Sequence, residues 1–133
     1  MYCFIFYTIF LGVLFSQDST LVISSQFSNL TIDTKKPNIE IISPNGLENF
    51  NPSETINVEW LSSDDYFSEQ PISIYLSNSP GGEFELILDN IENTTSTLIE
   101  LPDINTNFAM MKITAVDYFG NQSDDLSDNY FII

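Results

Sequence analysis

From Pro37 onward, short runs rich in Ile, Val, Phe and Thr are separated by clusters of Asn, Pro, Gly, Ser and Asp, and the clearest of them alternate apolar with polar residues. A period of two places one set of side chains on one face of an extended strand, whereas a helix needs a period near 3.6. Seven such runs can be read, at residues 39–42, 55–61, 72–77, 84–88, 97–101, 110–116 and 129–133. In the second, Ile56, Val58 and Trp60 share one face and Asn57 and Glu59 the other; in the third, Ile72, Ile74 and Leu76 oppose Ser73 and Tyr75. In the sixth, Met111, Ile113 and Ala115 point inward, and in the seventh Phe131 and Ile133 do so. The clusters Ser43-Pro44-Asn45-Gly46 and Asn78-Ser79-Pro80-Gly81-Gly82 are turns, and in the second glycine supplies the positive φ a tight hairpin needs. No stretch has sustained helical periodicity with caps, so little helix is expected. Strands this short bury one face only, and stacking two sheets face to face satisfies them all. The expectation is an all-β, seven-stranded antiparallel β-sandwich spanning residues 37–133.

Charge narrows the function classes. The formal net charge is −16, from 3 Lys+Arg against 19 Asp+Glu, with no Arg and no His. Such a surface repels phosphate backbones, so no nucleic-acid partner is expected. Catalytic triads and zinc sites that need imidazole or several thiolates cannot be assembled, because the one cysteine is Cys3. At 43% hydrophobic and 14% aromatic residues, the chain is too apolar for a disordered acidic tail. Residues 1–15 form an uncharged apolar run, shorter than the roughly 20 residues a membrane span requires. They read as the core of a signal peptide, residues 1–16, cleaved after Ser16; an uncleaved anchor or a truncated start is the alternative. Residues 17–36 read as a polar linker with a short strand near residues 21–23, ending at Lys36-Pro37. After cleavage no cysteine and no membrane span remain, and the fold stands on its core alone.

The motif order in residues 37–133 resembles an Ig-like (fibronectin-III-like) β-sandwich repeat module of bacterial surface and secreted proteins. The residues that carry the resemblance are Pro37-Asn38-Ile39-Glu40-Ile41, Ser43-Pro44-Asn45-Gly46, Ile56-Asn57-Val58-Glu59-Trp60, Pro71-Ile72-Ser73-Ile74-Tyr75-Leu76-Ser77 and Pro80-Gly81-Gly82-Glu83-Phe84. The most specific part is Ala115-Val116-Asp117-Tyr118-Phe119-Gly120-Asn121, similar to the Ala-x-Asp-x-x-Gly-Asn ending of such modules. More distantly, the opening resembles the N-terminal Ig-like domain of yeast cell-wall β-glucan assembly proteins. The resemblance implies a fold and a secreted or cell-surface location; it implies no particular ligand, because such sandwiches host many functions.

Antiparallel neighbours would send the loops at 62–71, 89–96 and 117–128 to one pole, together with the incoming linker. That pole would gather Asp64, Asp65, Glu69, Asp89, Glu92, Asp117, Asp124, Asp125 and Asp128, with Asp33 near it and Lys35 and Lys36 as the adjacent cations. Crowded carboxylates repel, and Ca²⁺, a hard ion taking six to eight oxygens, is the extracellular cation that would relieve them. Asp64, Asp65, Asp117, Asp124 and Asp125 are the candidate ligands. The same residues equally serve as turn caps on a solvated acidic surface, Asp117 fixing the turn before Gly120-Asn121. Two loop pairs, Tyr66-Phe67 and Tyr118-Phe119, are candidate carbohydrate-stacking residues, or plugs over the open end of the core. Glycoside hydrolysis needs two carboxyls across a cleft, which a small two-layer domain does not offer, so no catalytic residue is expected. The expected role is a non-catalytic spacer, adhesion or interaction module contacting neighbouring domains or surface proteins, with carbohydrate binding as the alternative. Sequons at Asn29, Asn93 and Asn121 carry little weight in an Asn/Ser/Thr-rich chain.

Overall fold

A computed structural model describes residues 31–133; the signal-peptide reading and most of the linker reading lie outside the described residues. The strands are Asn38–Ser43 (β1), Thr55–Ser63 (β2), Phe67–Ser77 (β3), Glu85–Ile91 (β4), Ser96–Glu100 (β5), Met110–Asp117 (β6) and Gln122–Leu126 (β7). They form two antiparallel sheets, ordered β1-β2-β5 and β4-β3-β6-β7. Ile32–Ile133 make one compact unit, so residues 32–36, read as linker, belong to the folded body.

The alternation in the sequence becomes the core. Along β2, Ile56, Val58 and Trp60 are buried while their neighbours face water, and Ile72, Ile74 and Leu76 are likewise buried on β3. These join Ile39 and Ile41 of β1, Ile99 of β5, Met111, Ile113 and Ala115 of β6, and Phe131 in a single buried cluster between the sheets. Each fully buried aliphatic or aromatic side chain contributes about 1.5–3 kcal/mol, which is what holds two layers together without a crosslink in the described residues. Trp60 is part of this core, and its indole Nε1 donates to Asn93 Oδ1 at 3.2 Å, so its one polar atom is satisfied. On the outer face of the larger sheet, the Lys112 ammonium sits 4.5 Å from the ring centre of Tyr75 and 4.8 Å from that of Phe84.

Two elements differ from the sequence reading. The seventh strand is Gln122–Leu126, within a segment read as loop, and residues 129–133 are not part of a regular ladder. Gln-Ser-Asp-Asp-Leu has no apolar alternation, but β6 offers it an open edge: Lys112 pairs with Leu126 and Val116 with Gln122. The alternation at 129–133 reports burial correctly, since Phe131 and Ile133 are in the core. Its backbone, however, is shared among loops: Leu47 N–H bonds Tyr130 O, Phe50 N–H bonds Ile132 O, and Phe131 exchanges two bonds with Ala109. Strand β3 also starts earlier than read, at Phe67, which shortens the preceding loop to residues 64–66.

Candidate functional site

Strand directions define two poles. At one, the segment before β1 meets the loops after β2, β4 and β6; at the far pole lie the turn after β1, Asn78 after β3, and residues 129–133.

The first pole is acidic, though less crowded than the sequence suggested. Asp64 and Asp65 sit in the β2–β3 loop, Asp117 closes β6, and Glu92 lies in the β4–β5 loop. Glu69 and Asp89 are within β3 and β4, and Asp124 and Asp125 are within β7. Asp128 is at the far pole, where its carboxylate accepts from Asn45 Nδ2 at 3.0 Å and its own N–H donates to Asn45 Oδ1 at 2.8 Å. Asp125 works between strands. Its Oδ2 accepts the Ile41 N–H at 2.7 Å, while Ser123 Oγ donates to Pro37 O at 2.6 Å. These two residues of β7 tie one edge of the larger sheet to the open edge of β1, a backbone row otherwise free to pair with another chain.

Three carboxylates do converge. One oxygen each of Asp33, Asp64 and Asp117 lies within 4.8 Å of the others. They come from distant parts of the chain: the segment before β1, the loop after β2 of the smaller sheet, and the end of β6 of the larger. Asp117, almost wholly buried, receives Asn121 N–H at 2.7 Å and Asn121 Nδ2 at 2.6 Å, the turn-capping role its motif implies. Asn121 Nδ2 also donates to Asp33 O at 3.1 Å, which docks the incoming segment on the pole. Asp33 Oδ1 accepts Lys35 N–H at 2.9 Å, and Asp64 Oδ1 accepts Tyr66 N–H at 2.7 Å. Asp64 Oδ2 is shielded from solvent and has no hydrogen-bond partner among the described residues. The donors to these three carboxylates are neutral N–H groups, which do not offset the repulsion among oxygens within 4.8 Å of one another; two unit charges 4 Å apart repel by about 1 kcal/mol in water and about 4 at an effective dielectric of 20. Such a trio can hold a hard, oxygen-seeking cation. Asp65 is exposed and Asp124 and Asp125 stand on β7, so three of the five residues singled out as candidate ligands are not part of it. Asp33, which no spacing rule marks, takes their place, because its position depends on docking through Asn121.

The aromatic pairs divide. Phe67 packs against the core, as a plug would. Tyr66, Tyr118 and Phe119 are exposed and meet edge to face, Tyr66–Phe119 at 5.4 Å and 89°, Tyr118–Phe119 at 5.6 Å and 85°. Each contact is perpendicular, so Phe119 shares no flat face with either tyrosine. Among the described residues, no helix is long and apolar enough to cross a membrane.

No protein family, curated protein or solved structure matches this chain.

Proposed function

We propose that Ile32–Ile133 form a non-catalytic spacer, adhesion or interaction module of a secreted or cell-surface protein, of the Ig-like (fibronectin-III-like) sandwich type. One observation carries the reading: the segment before β1 and residues 129–133 lie at opposite poles of the sandwich. A module traversed from end to end sets its neighbours on either side in line, which is the geometry a spacer needs. The orders β1-β2-β5 and β3-β6-β7 match those of the first, second and fifth and of the third, sixth and seventh strands of an immunoglobulin sandwich, which supports the fold type. Constant-type immunoglobulin sheets keep the fourth strand beside the fifth; here β4 pairs with β3, a variation that leaves the sandwich architecture unchanged. The stitching of β1 by Asp125 and Ser123 suits a module displayed beside many others, since it blocks unwanted edge-to-edge pairing.

Protease shaving of intact source cells tests this. Release of peptides from Ile32–Ile133 is the expected result, and recovery from the cytosolic fraction alone overturns the location. A glycan array on the full chain separates the alternative: a ligand whose binding is lost on Tyr118→Ala would replace the spacer reading with a carbohydrate-binding one.

A further inference from the structure

We infer that Asn93, in the loop between β4 and β5, is an N-glycosylation site, and that the sugar it carries covers the open edges of those two strands. Such a modification rests on the exported location proposed above, since Asn-x-Ser/Thr acceptors are used on the surface loops of secreted chains. The sequons begin at Asn29, Asn93 and Asn121, and the first lies outside the described residues.

The chemistry of transfer separates the other two. The acceptor Nδ2 attacks C1 of a lipid-pyrophosphate-linked oligosaccharide. The Nδ2–C1 bond forms, the C1–O bond breaks with its electron pair leaving on the lipid pyrophosphate, and Nδ2 gives up one of its two protons to solvent. The product keeps the carbonyl Oδ1 and a single N–H. A fold that accommodates the sugar must therefore hold the asparagine by its oxygen and leave the nitrogen open.

Asn93 is held in that way. It is exposed, and its Oδ1 accepts Trp60 Nε1–H at 3.2 Å and Ser62 Oγ–H at 2.6 Å. An indole nitrogen only donates, so the amide atom facing it is the oxygen. Nδ2 is left without a hydrogen-bond partner among the described residues. Asn121 is held the opposite way. Its Nδ2 donates to Asp117 Oδ2 at 2.6 Å and to Asp33 O at 3.1 Å, and the hydroxyl of Ser123, third in its sequon, donates to Pro37 O at 2.6 Å. A sugar on Asn121 would consume one of those N–H groups and break either the turn after β6 or the docking of the segment before β1. Thr95, third in the Asn93 sequon, is exposed.

The position of Asn93 gives the sugar a role. On one side of the sandwich, Asp125 and Ser123 of β7 tie down the edge of β1. On the other, β4 and β5 are the outermost strands of their sheets, with Leu86, Leu88 and Leu98 exposed. Residues 92–95 join these two strands. A bulky, hydrophilic chain rooted there shields edges that would otherwise be free to pair with another molecule.

Glycopeptide mass spectrometry of the full chain from its source cells is the test. The peptide spanning Asn93 should carry sugar and the one spanning Asn121 should not. Thr95→Ala, which destroys the sequon but keeps Asn93 and its two bonds, should abolish the modification, while Thr94→Ala, which keeps the sequon, should leave it in place. In sedimentation, the bare Thr95→Ala chain should show concentration-dependent association that the glycosylated chain lacks. Chain shaved from the cell surface with Asn93 unmodified overturns the site and leaves the location standing; chain recovered from the cytosol alone overturns the location and the site with it. Sugar on Asn121 of the folded chain overturns the selection by hydrogen bonding, and a monomeric Thr95→Ala chain overturns the shielding of the edges.

Discussion

The two poles of the sandwich are closed by different chemistry. At the far pole the chain closes on itself through backbone: Ile132 N–H bonds Glu48 O, Ile133 and Thr106 exchange two bonds, and Phe131 does the same with Ala109. Beneath them Phe131 is fully buried, with Phe50 edge-on at 5.8 Å. At the acidic pole, loop N–H groups are taken by carboxylates, namely Asp33, Asp64 and Asp117, and aromatic rings stand partly in water. Carboxylates cap the turn after β1 at the far pole too, where Glu48 accepts the Asn45 and Gly46 N–H groups at 2.8 and 2.7 Å and Asp128 accepts from Asn45 Nδ2. What sets the acidic pole apart among the described residues is that three of its carboxylates converge, whereas the far pole lays backbone pairs over an apolar plug.

The largest expected effect breaks the far pole. Phe131→Ala removes a wholly buried ring and should cost about 3–5 kcal/mol in denaturant unfolding, whereas Tyr118→Ala, mostly exposed, should stay within about 0.5 kcal/mol. Equal losses would mean that the exposed rings carry core energy, and the contrast would fail.

Glycines sharpen the same contrast. Gly46 has φ 116°, and a Cβ there would stand 2.5 Å from Asn129 Cβ; Gly120 has φ 85° with nothing within 4 Å. Gly46→Ala should therefore cost about 3 kcal/mol, since backbone strain and overpacking each contribute about 1–3. Gly120→Ala should cost only about 1 kcal/mol, from strain alone. Melting temperatures of the two variants decide it.

Asp125→Ala asks what a lone carboxylate acceptor is worth away from the crowded pole. Losing its bond to Ile41 N–H should cost about 2 kcal/mol, the usual range for a hydrogen bond to a charged group. It should also expose the β1 edge, seen as concentration-dependent association in sedimentation.

The smallest effect concerns Asp89. The Ser73 hydroxyl, which donates to it, and the Asn90 backbone N–H hold its pKa below the ordinary aspartate value. A lowered folded-state pKa stabilises at pH above the unfolded-state value, and that contribution fades as pH falls through the folded one. Ser73→Ala should move the Asp89 pKa up toward normal in a carboxyl NMR titration, with little change in stability, because the group is exposed. No upward movement would assign the shift to the backbone instead.

Burial was legible from local pattern because it depends on it. Ile56, Val58 and Ile113 stand between polar neighbours, and any extended segment so patterned must turn that face away from water. Turn chemistry was legible for the same reason: Gly46, Gly81 and Gly120 adopt positive φ, and Asp117 caps its own turn.

What local pattern leaves open is who stands opposite whom. Gln122–Leu126 is polar and becomes a strand because β6 presents an unpaired edge, while residues 129–133, patterned like a strand, spend their hydrogen bonds on three loops. Likewise, the sequence placed many acids near one end. Only folding sent Asp128 to the other, set Asp125 against β1, and brought Asp33 beside Asp64 and Asp117. Hydrophobic burial is non-directional and needs only a side to face. A hydrogen bond or a shared cation needs specific atoms a few ångströms apart, and residues distant in the chain acquire that proximity only when the two sheets close.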